Sequence, residues 1–181
     1  MARNVYLAQV NHKYGHNKVF LPYSTGLLQA HAKAQQDINE SYKFSRPLFL
    51  RENPRDVAKS LDNLDVLGIS CYIWNWGWSN ALAKEVRDQH PRSLIVMGGP
   101  QVPNHSENFF KEHPYVDILV HGEGEIIFSE ILRERLKPNP AYLRIAGISL
   151  NQKGNSAKSL TRPRLASDEL PPSPYLTGEF E

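Results

Sequence analysis

The sequence contains one cysteine, Cys71, among its 181 residues. A single thiol cannot form an internal disulfide, and it cannot supply the several thiolates of a structural zinc site or an iron–sulfur cluster. Cys71 ends an apolar run, which favours a buried, unreactive thiol over a Cys–His nucleophile pair. Any redox chemistry must therefore come from a group outside the chain.

The sequence also lacks a long apolar run and a strong excess of charge. No segment approaches the roughly 20 apolar residues of a membrane-spanning helix, and the N-terminal MARNVYLAQV enters a strand pattern instead of a secretion signal. A net charge of +2 gives no electrostatic reason to expect nucleic acid. We therefore expect a cytoplasmic protein with neither a membrane nor a nucleic-acid partner.

Several catalytic motifs are missing as well. There is no GxSxG turn, no phosphate-binding GxxxxGK[ST] and no HExxH pair. The polar loop that begins at Asn11 offers only Gly15 where a dinucleotide or flavin site would need GxGxxG. A dinucleotide or flavin binder is thus a weak alternative.

Three apolar runs, each leading into a glycine-marked turn, dominate what is present: VLGISCY, LIVMGGPQVP and VDILVHGEGE. Each run has the length of a buried parallel strand, and the turns that follow parallel strands lie at one edge of the sheet. Open α/β sheets bind ligands at that edge. The pattern therefore predicts a binding face, and the ligand it favours is a large cofactor.

Strand and helix patterns alternate along the chain, which predicts a doubly wound α/β fold with a mainly parallel five-stranded sheet. The expected strands are 3–10, 42–50, 65–71, 93–97 and 116–120. The expected helices are 24–36, a short one opened by Pro54, 80–90 capped by Ser79, 104–112 and 125–136. We expect a binding domain over 1–138, a β-hairpin extension over 139–161 with its turn at Gly154, and a proline-rich linker over 162–181.

The glycine turns are the first candidate ligand contacts. Gly98 and Gly99 have no side chains, so a ligand can approach their backbone closely, although a tight strand-to-helix turn would explain them equally well. Glu123 lies between Gly122 and Gly124 and is placed to hydrogen-bond a ligand. Glu125, at the start of a predicted helix, is expected to stabilise that helix terminus.

Two further features are an aromatic cluster and a histidine. Trp74, Trp76 and Trp78 alternate with polar and small residues, which favours a loop that covers a flat ligand or contacts another domain over a core position. His12 follows the first predicted strand at the same sheet edge, where an imidazole could reach a bound metal. A solvated or structural role for His12 is the commoner alternative.

Taken together, five motifs resemble the cobalamin-binding domain that precedes the catalytic barrel in many radical S-adenosylmethionine (SAM) enzymes. They are LPYSTGLLQA, VLGISCYIWN, LIVMGGPQVP, HGEGEIIFSEIL and LPPSPYLTGEFE, and they cover nearly the whole chain. The resemblance implies that loops at the sheet edge surround the corrin ring and its nucleotide tail. The implied cofactor-binding residues are His12, Gly15, Leu21, Pro22, Ser24, Ser70, Tyr72, Trp74, Asn75, Gly98, Gly99, Pro100, Gln101, Val102, Gly122, Glu123 and Gly124.

The sequence departs from the related patterns at two places. Cobalamin domains of the methionine-synthase type use D-x-H-x-x-G; here His12 and Gly15 match, but Val10 replaces the aspartate. His12 then lacks the carboxylate that would orient it, so ligation of cobalt by His12 and a lower face without it are equally plausible. The CxxxCxxC motif that holds a [4Fe–4S] cluster is absent.

The resemblance implies a role in methyl transfer, in which methylcobalamin donates a methyl group that comes from SAM. The partner would be a radical SAM barrel of the same parent chain, which would also hold SAM and the [4Fe–4S] cluster. This chain alone is then expected to be a fragment or a stand-alone relative that binds cobalamin without cleaving SAM. A domain that keeps the fold and serves as a cofactor-free scaffold is the alternative.

Overall fold

The computed structural model describes residues 3–12, 20–166 and 171–181. Its strands are β1 (Arg3–Ala8), β2 (Tyr42–Phe44), β3 (Leu64–Ser70), β4 (Leu94–Gly98), β5 (Ile118–Val120), β6 (Ile148–Gln152) and β7 (Asn155–Lys158). Its helices are α1 (Tyr23–Lys33), α2 (Gln36–Ser41), α3 (Pro54–Ser60), α4 (Trp76–Gln89), α5 (Phe109–Glu112) and α6 (Glu125–Arg135). None of the helices in the described ranges is long and apolar enough to cross a membrane.

The strands form one sheet in the order β2-β1-β3-β4-β5-β6-β7. The first five are parallel, whereas β6 pairs antiparallel with β5 and β7 antiparallel with β6. The predicted α/β class, the mainly parallel sheet and the C-terminal hairpin are therefore confirmed. The hairpin continues the sheet, so the sheet has seven strands where the sequence predicted a sheet of five.

Two apolar layers cover the sheet. On one face, α3, α4 and α5 pack over side chains that include Leu67, Ile95 and Leu119; on the other, α6 packs over Val66, Val96 and Ile118. The central strands β3 and β4 are buried on both faces, which explains why the sequence shows them as continuous apolar runs.

Several predicted boundaries are wrong. α4 begins at Trp76, so Ser79 is a buried residue inside the helix instead of its cap. Residue 22 is the N-cap of α1, without a side-chain hydrogen bond, so neither Ser24 nor Thr25 caps that helix. The predicted helix 104–112 is helical only over α5, and α2 was not predicted. The start of α3 at Pro54 is confirmed, and the Asn53 side chain accepts a hydrogen bond from the Arg55 N–H.

The C-terminal segment folds back onto the domain. Residues 171–181 lie against α1, and Pro174 and Glu179 in this segment are buried. The sequence has no periodicity there, which is why a linker was predicted. The described part of that linker is packed against the fold.

Candidate functional site

A cavity of about 200 Å³ lies at the carboxyl edge of the sheet, between the sheet and helices α1 and α6. Strands β3, β4 and β5 supply its base, and the turns that follow them supply its rim. Its lining residues are Ser24, Leu28, Gly68, Ile69, Ser70, Tyr72, Val96, Gly98, Gly99, Pro100, Val120, Gly122, Glu123, Gly124, Glu125 and Phe128. The turns after β3, β4 and β5 therefore meet at one space as expected, with glycines lining it in the turns after β4 and β5.

The turn after β4 is held tightly against the end of β3. The Cys71 N–H donates to the Gly98 carbonyl at 2.7 Å, and the Gln101 N–H donates to the Cys71 carbonyl at 3.2 Å. Gly99 has φ +100°, and a Cβ there would lie 2.7 Å from the Cys71 carbonyl oxygen. Only glycine fits this position, both for its dihedral angle and for its contact with backbone.

Gly122, in the turn after β5, has a different environment. Its φ is +82°, but no described atom lies within 4 Å of the position that a Cβ would take. The turn therefore needs glycine for its dihedral angle alone. The space beside it is open.

The loop after β3 is fixed by Asn75. This side chain is fully buried; its Nδ2 donates to the carbonyls of Val10 and Ser70 at 3.2 and 2.9 Å, and its Oδ1 accepts from the Tyr72 N–H at 2.7 Å. These bonds occupy its polar atoms. Asn75 therefore holds the loop after β3 in position.

Tyr72 and Trp74 form the aromatic part of the rim. Their rings are stacked, with centroids 4.6 Å apart and planes inclined by 11°. The Tyr72 hydroxyl lies 2.6 Å from Ser24 Oγ and so connects this loop to the start of α1. Trp74 is 42% exposed, and the pair therefore presents a flat aromatic surface of the kind that packs against a planar ring.

The other two tryptophans do not share this surface. Trp78 lies within α4, is buried, and donates its Nε1–H to the Glu52 carbonyl at 2.8 Å. Trp76 is half-buried and contacts Phe109 and His113 in the layer on the opposite face. The prediction of a three-tryptophan loop surface was wrong for these two, because α4 begins earlier than predicted and its helical spacing turns them inward.

A second cavity, of about 500 Å³, adjoins the aromatic rim. It is lined by Gln9, Asn11, His12, Phe20, Leu21 and Trp74. Asn11 Nδ2 donates to the Phe20 carbonyl at 2.8 Å, which holds together the two ends of the loop after β1. Val10, at the position of the missing aspartate, is fully buried. No group of three or more metal-ligating side chains is found among the described residues.

A third cavity, of about 360 Å³, lies on the other side of the two glycine turns and shares Gly99, Pro100, Val120 and Gly122 with the first. His121 lines it, and its Nε2 lies 2.8 Å from Ser149 Oγ. Ser149 in turn bonds to Ser106, which bonds to Ser156. Burial lowers the pKa of His121 below its usual value. This polar chain ties the hairpin to the rim of the site.

The candidate residues from the sequence divide into groups. The second cavity is lined by His12, Leu21 and Trp74, and the third by Val102. The first cavity is lined by Ser24, Ser70, Tyr72, Gly98, Gly99, Pro100, Gly122, Glu123 and Gly124. Pro22 is the buried N-cap residue of α1, and Gln101 is held through its backbone. Glu123 Oε2 accepts a hydrogen bond from the Leu165 N–H at 2.6 Å. Gly15 lies outside the described residues.

The sequence reasoning missed the inner wall of the first cavity. Leu28 and Phe128 reach it from α1 and α6, while Val96, Val120 and Gly68 reach it from the sheet. Gly68 was the available signal, because a glycine inside an apolar strand often marks a close approach. A Cβ there would lie 2.6 Å from Leu7 Cδ2 and 3.1 Å from Phe128 Cε2.

Comparison with known proteins adds three findings at the level of sequence. Residues 46–132 match the family model described as the B12 binding domain. The chain is 41% identical over 162 residues to 2-(S-pantetheinyl)-carbapenam-3-carboxylate methyltransferase from Streptantibioticus cattleyicolor, and 41% identical over 166 residues to the cobalamin-dependent radical SAM methyltransferase TokK from Streptomyces tokunonensis. Each match covers 90% of this chain and 24% of the relative. The chain thus spans about a quarter of their length.

Comparison with solved structures supports the fold. The radical SAM methyltransferase TsrM from Kitasatospora setae, with cobalamin and a [4Fe–4S] cluster bound, superposes with a TM-score of 0.68 at 15% identity. The match covers 96% of this chain and 31% of TsrM. At this identity the comparison shows a shared architecture.

Proposed function

Since this chain contains a B12-binding domain homologous to part of the cobalamin-dependent radical SAM methyltransferases, we propose that its adjoining first and second cavities hold the two parts of one cobalamin. The first cavity is the smaller of the two and mostly apolar, and it would receive the nucleotide tail. The second is larger, with the Trp74 indole at its border, and it would face the corrin ring. The observation that carries this proposal is the convergence of the turns after β3, β4 and β5 on open space.

The residues present fit such a cofactor. No described atom fills the space beside Gly122, so a ligand can lie directly against that backbone. Glu125 Oε2 at the cavity is buried and has no hydrogen-bond partner among the described residues, and a donor on the ligand would satisfy it. The Ser24–Tyr72 hydrogen bond holds α1 against the loop after β3. The wall is therefore formed by groups whose positions are fixed in advance.

Bound cobalamin would supply the methyl-transfer chemistry, as the cofactor does the difficult step in such enzymes. The residues of this chain would bind and orient it. Glu123 and the glycine turns would hold the tail, and Tyr72 and Trp74 would pack against a ring face. His12 lines the cavity that would face the ring. We propose two alternatives of equal weight: His12 ligates the lower face of the cobalt, or no histidine of this chain does.

We further propose that the parent protein is a radical SAM methyltransferase, and that residues 1–138 form the binding domain, 139–161 the hairpin extension and 162–181 the connection to a barrel. The length and identity of the curated relatives support this assignment. Cys71, the single cysteine, is fully buried, and burial raises its pKa to about 12. An iron–sulfur cluster and the SAM site would therefore belong to the barrel.

Incubation of the purified chain with hydroxocobalamin, followed by desalting and a visible spectrum, tests the binding. We expect a retained and shifted corrin band. Leu28→Trp should abolish retention by filling the first cavity, whereas Leu143→Trp, at an exposed position outside its lining, should leave retention unchanged. If the unsubstituted chain is colourless after desalting, the proposal is contradicted and the cofactor-free scaffold is favoured.

A further inference from the structure

Helix α1 contains a glycine where helix formation alone would not favour one. Gly26 is buried in the interior of Tyr23–Lys33, and glycine costs a helix about 1 kcal/mol relative to alanine. A Cβ at Gly26 would lie 2.4 Å from Phe180 Cζ and 3.0 Å from Pro174 Cβ. The missing side chain therefore makes room for the C-terminal segment.

Polar contacts extend this docking along the helix. Glu179 is buried, and its Oε2 accepts from Gln29 Nε2 at 2.7 Å and from Lys33 Nζ at 3.1 Å. The Tyr23 and Tyr175 rings are stacked with their centroids 5.8 Å apart. A buried carboxylate with two donors is a specific contact, because leaving either partner unpaired would carry a desolvation cost. The segment 171–181 is thus bound to α1 by both shape and charge.

The opposite side of α1 forms the wall of the first cavity. Ser24 bonds to the Tyr72 hydroxyl, and Leu28 lines the cavity. With about 3.6 residues per turn, positions 24 and 28 lie on one face, and positions 26, 29 and 33 lie on the face opposite. At the start of α1 the Thr25 N–H donates to Gln9 Oε1 at 3.3 Å, and further along His31 Nδ1 lies 2.9 Å from Ser129 Oγ of α6. Contacts on the outer face of α1 therefore add to those that hold its inner face in place.

We propose that residues 171–181 are a strap that positions α1 as a wall of the cofactor cavity, with Phe180 and Glu179 as positioning residues. The strap presses α1 inward and so fixes where Ser24 and Leu28 meet the ligand. This inference rests on the proposed function, since the ligand at the wall is taken to be cobalamin. It assigns a role in binding to a segment none of whose described residues lines the first cavity.

The test compares variants in the full 181-residue chain. Phe180→Ala removes the ring, Gly26→Ala expels it, and Leu176→Ala changes a strap residue that is 89% exposed as the matched control. Hydroxocobalamin affinity is measured by absorbance well below the melting temperature of each variant, and melting of the cofactor-free proteins is recorded in parallel. Gly26→Ala covers the case in which Phe180→Ala does not fold.

Phe180→Ala and Gly26→Ala should each weaken binding about fivefold or more, and the double variant should match the single ones, because all three lose the same contact. Helix propensity alone predicts that Gly26→Ala stabilises the chain, so weaker binding by this variant points to the strap. Leu176→Ala should bind like the parent. Unchanged affinity in both Phe180→Ala and Gly26→Ala would overturn the strap while leaving the proposed function intact. Failure of the unsubstituted chain to bind would overturn both.

Discussion

Alanine substitution at Gly99 and at Gly122 should distinguish the contribution of these turns to folding stability from their contribution to ligand binding. Gly99 and Gly122 both have positive φ, +100° and +82°, so alanine costs about 1–2 kcal/mol at each from the left-handed backbone. At Gly99 the new Cβ also meets the Cys71 carbonyl oxygen at 2.7 Å and its nitrogen at 3.0 Å. These are backbone atoms held by hydrogen bonds, and they cannot rotate away.

Forcing a methyl group into such a packed position costs about 1–3 kcal/mol more. We therefore expect Gly99→Ala to lower the free energy of unfolding by about 2–5 kcal/mol and Gly122→Ala by only about 1–2 kcal/mol. The measurement is urea denaturation of the cofactor-free proteins, with unchanged slopes as evidence that the unfolding transition is the same.

Cobalamin binding should respond in the opposite order among the folded proteins. The Cβ of Gly122→Ala would enter open space at the cavity, so this variant should lose affinity out of proportion to its small loss of stability. Equal destabilisation by the two substitutions would refute the steric reasoning at Gly99. Full affinity of Gly122→Ala would show that no ligand lies against that turn.

Further outcomes follow from other described residues. Trp78→Phe should destabilise the protein by about 1–3 kcal/mol, because part of a buried ring and its hydrogen bond to the Glu52 carbonyl are lost. Trp74→Phe should change stability by less than about 0.5 kcal/mol and still weaken cobalamin binding, as denaturation and titration would show. Asn75→Ala should cost about 2–4 kcal/mol in the same denaturation assay, since three backbone groups lose their bonds. The Cys71 thiol, whose pKa burial raises to about 12, should react with a thiol reagent only after denaturation. Burial lowers the pKa of His113 below its usual value of 6.5. The stability that neutral His113 contributes is therefore full above pH 6.5 and is lost as the pH falls toward the lowered pKa. The melting temperature of His113→Gln should accordingly depend less on pH, between about 7.5 and 5.5, than that of the unsubstituted chain.

The sequence predicted the alternating fold and the meeting of the glycine turns, because both follow from local patterns. Continuous apolar runs identify the buried parallel strands, and glycine after the runs of β4 and β5 identifies the turns. Pro54 identified the start of α3 for an equally local reason. These features need no knowledge of what lies across the sheet.

Features that depend on distant contacts were not predictable in this way. Trp78 is buried because α4 begins at Trp76 and Glu52 lies beside it, and neither fact is visible from the spacing of the tryptophans. Asn75 reads as a loop residue, but its bonds to Val10 and Ser70 make it structural. The docking of Phe180 at Gly26 joins residues more than 150 positions apart along the chain, and no periodicity signals it.

The hairpin that completes the sheet also determines which strands are its edge strands. With the order β2-β1-β3-β4-β5-β6-β7, the outermost members are β2 and β7, of three and four residues. Each carries a lysine, Lys43 and Lys158, and the long apolar strands are enclosed between them. Short edge strands that carry a positive charge pair poorly with a strand of a second copy of the chain. The long apolar strands are thus kept from pairing with a second copy by short, lysine-bearing strands at both edges of the sheet.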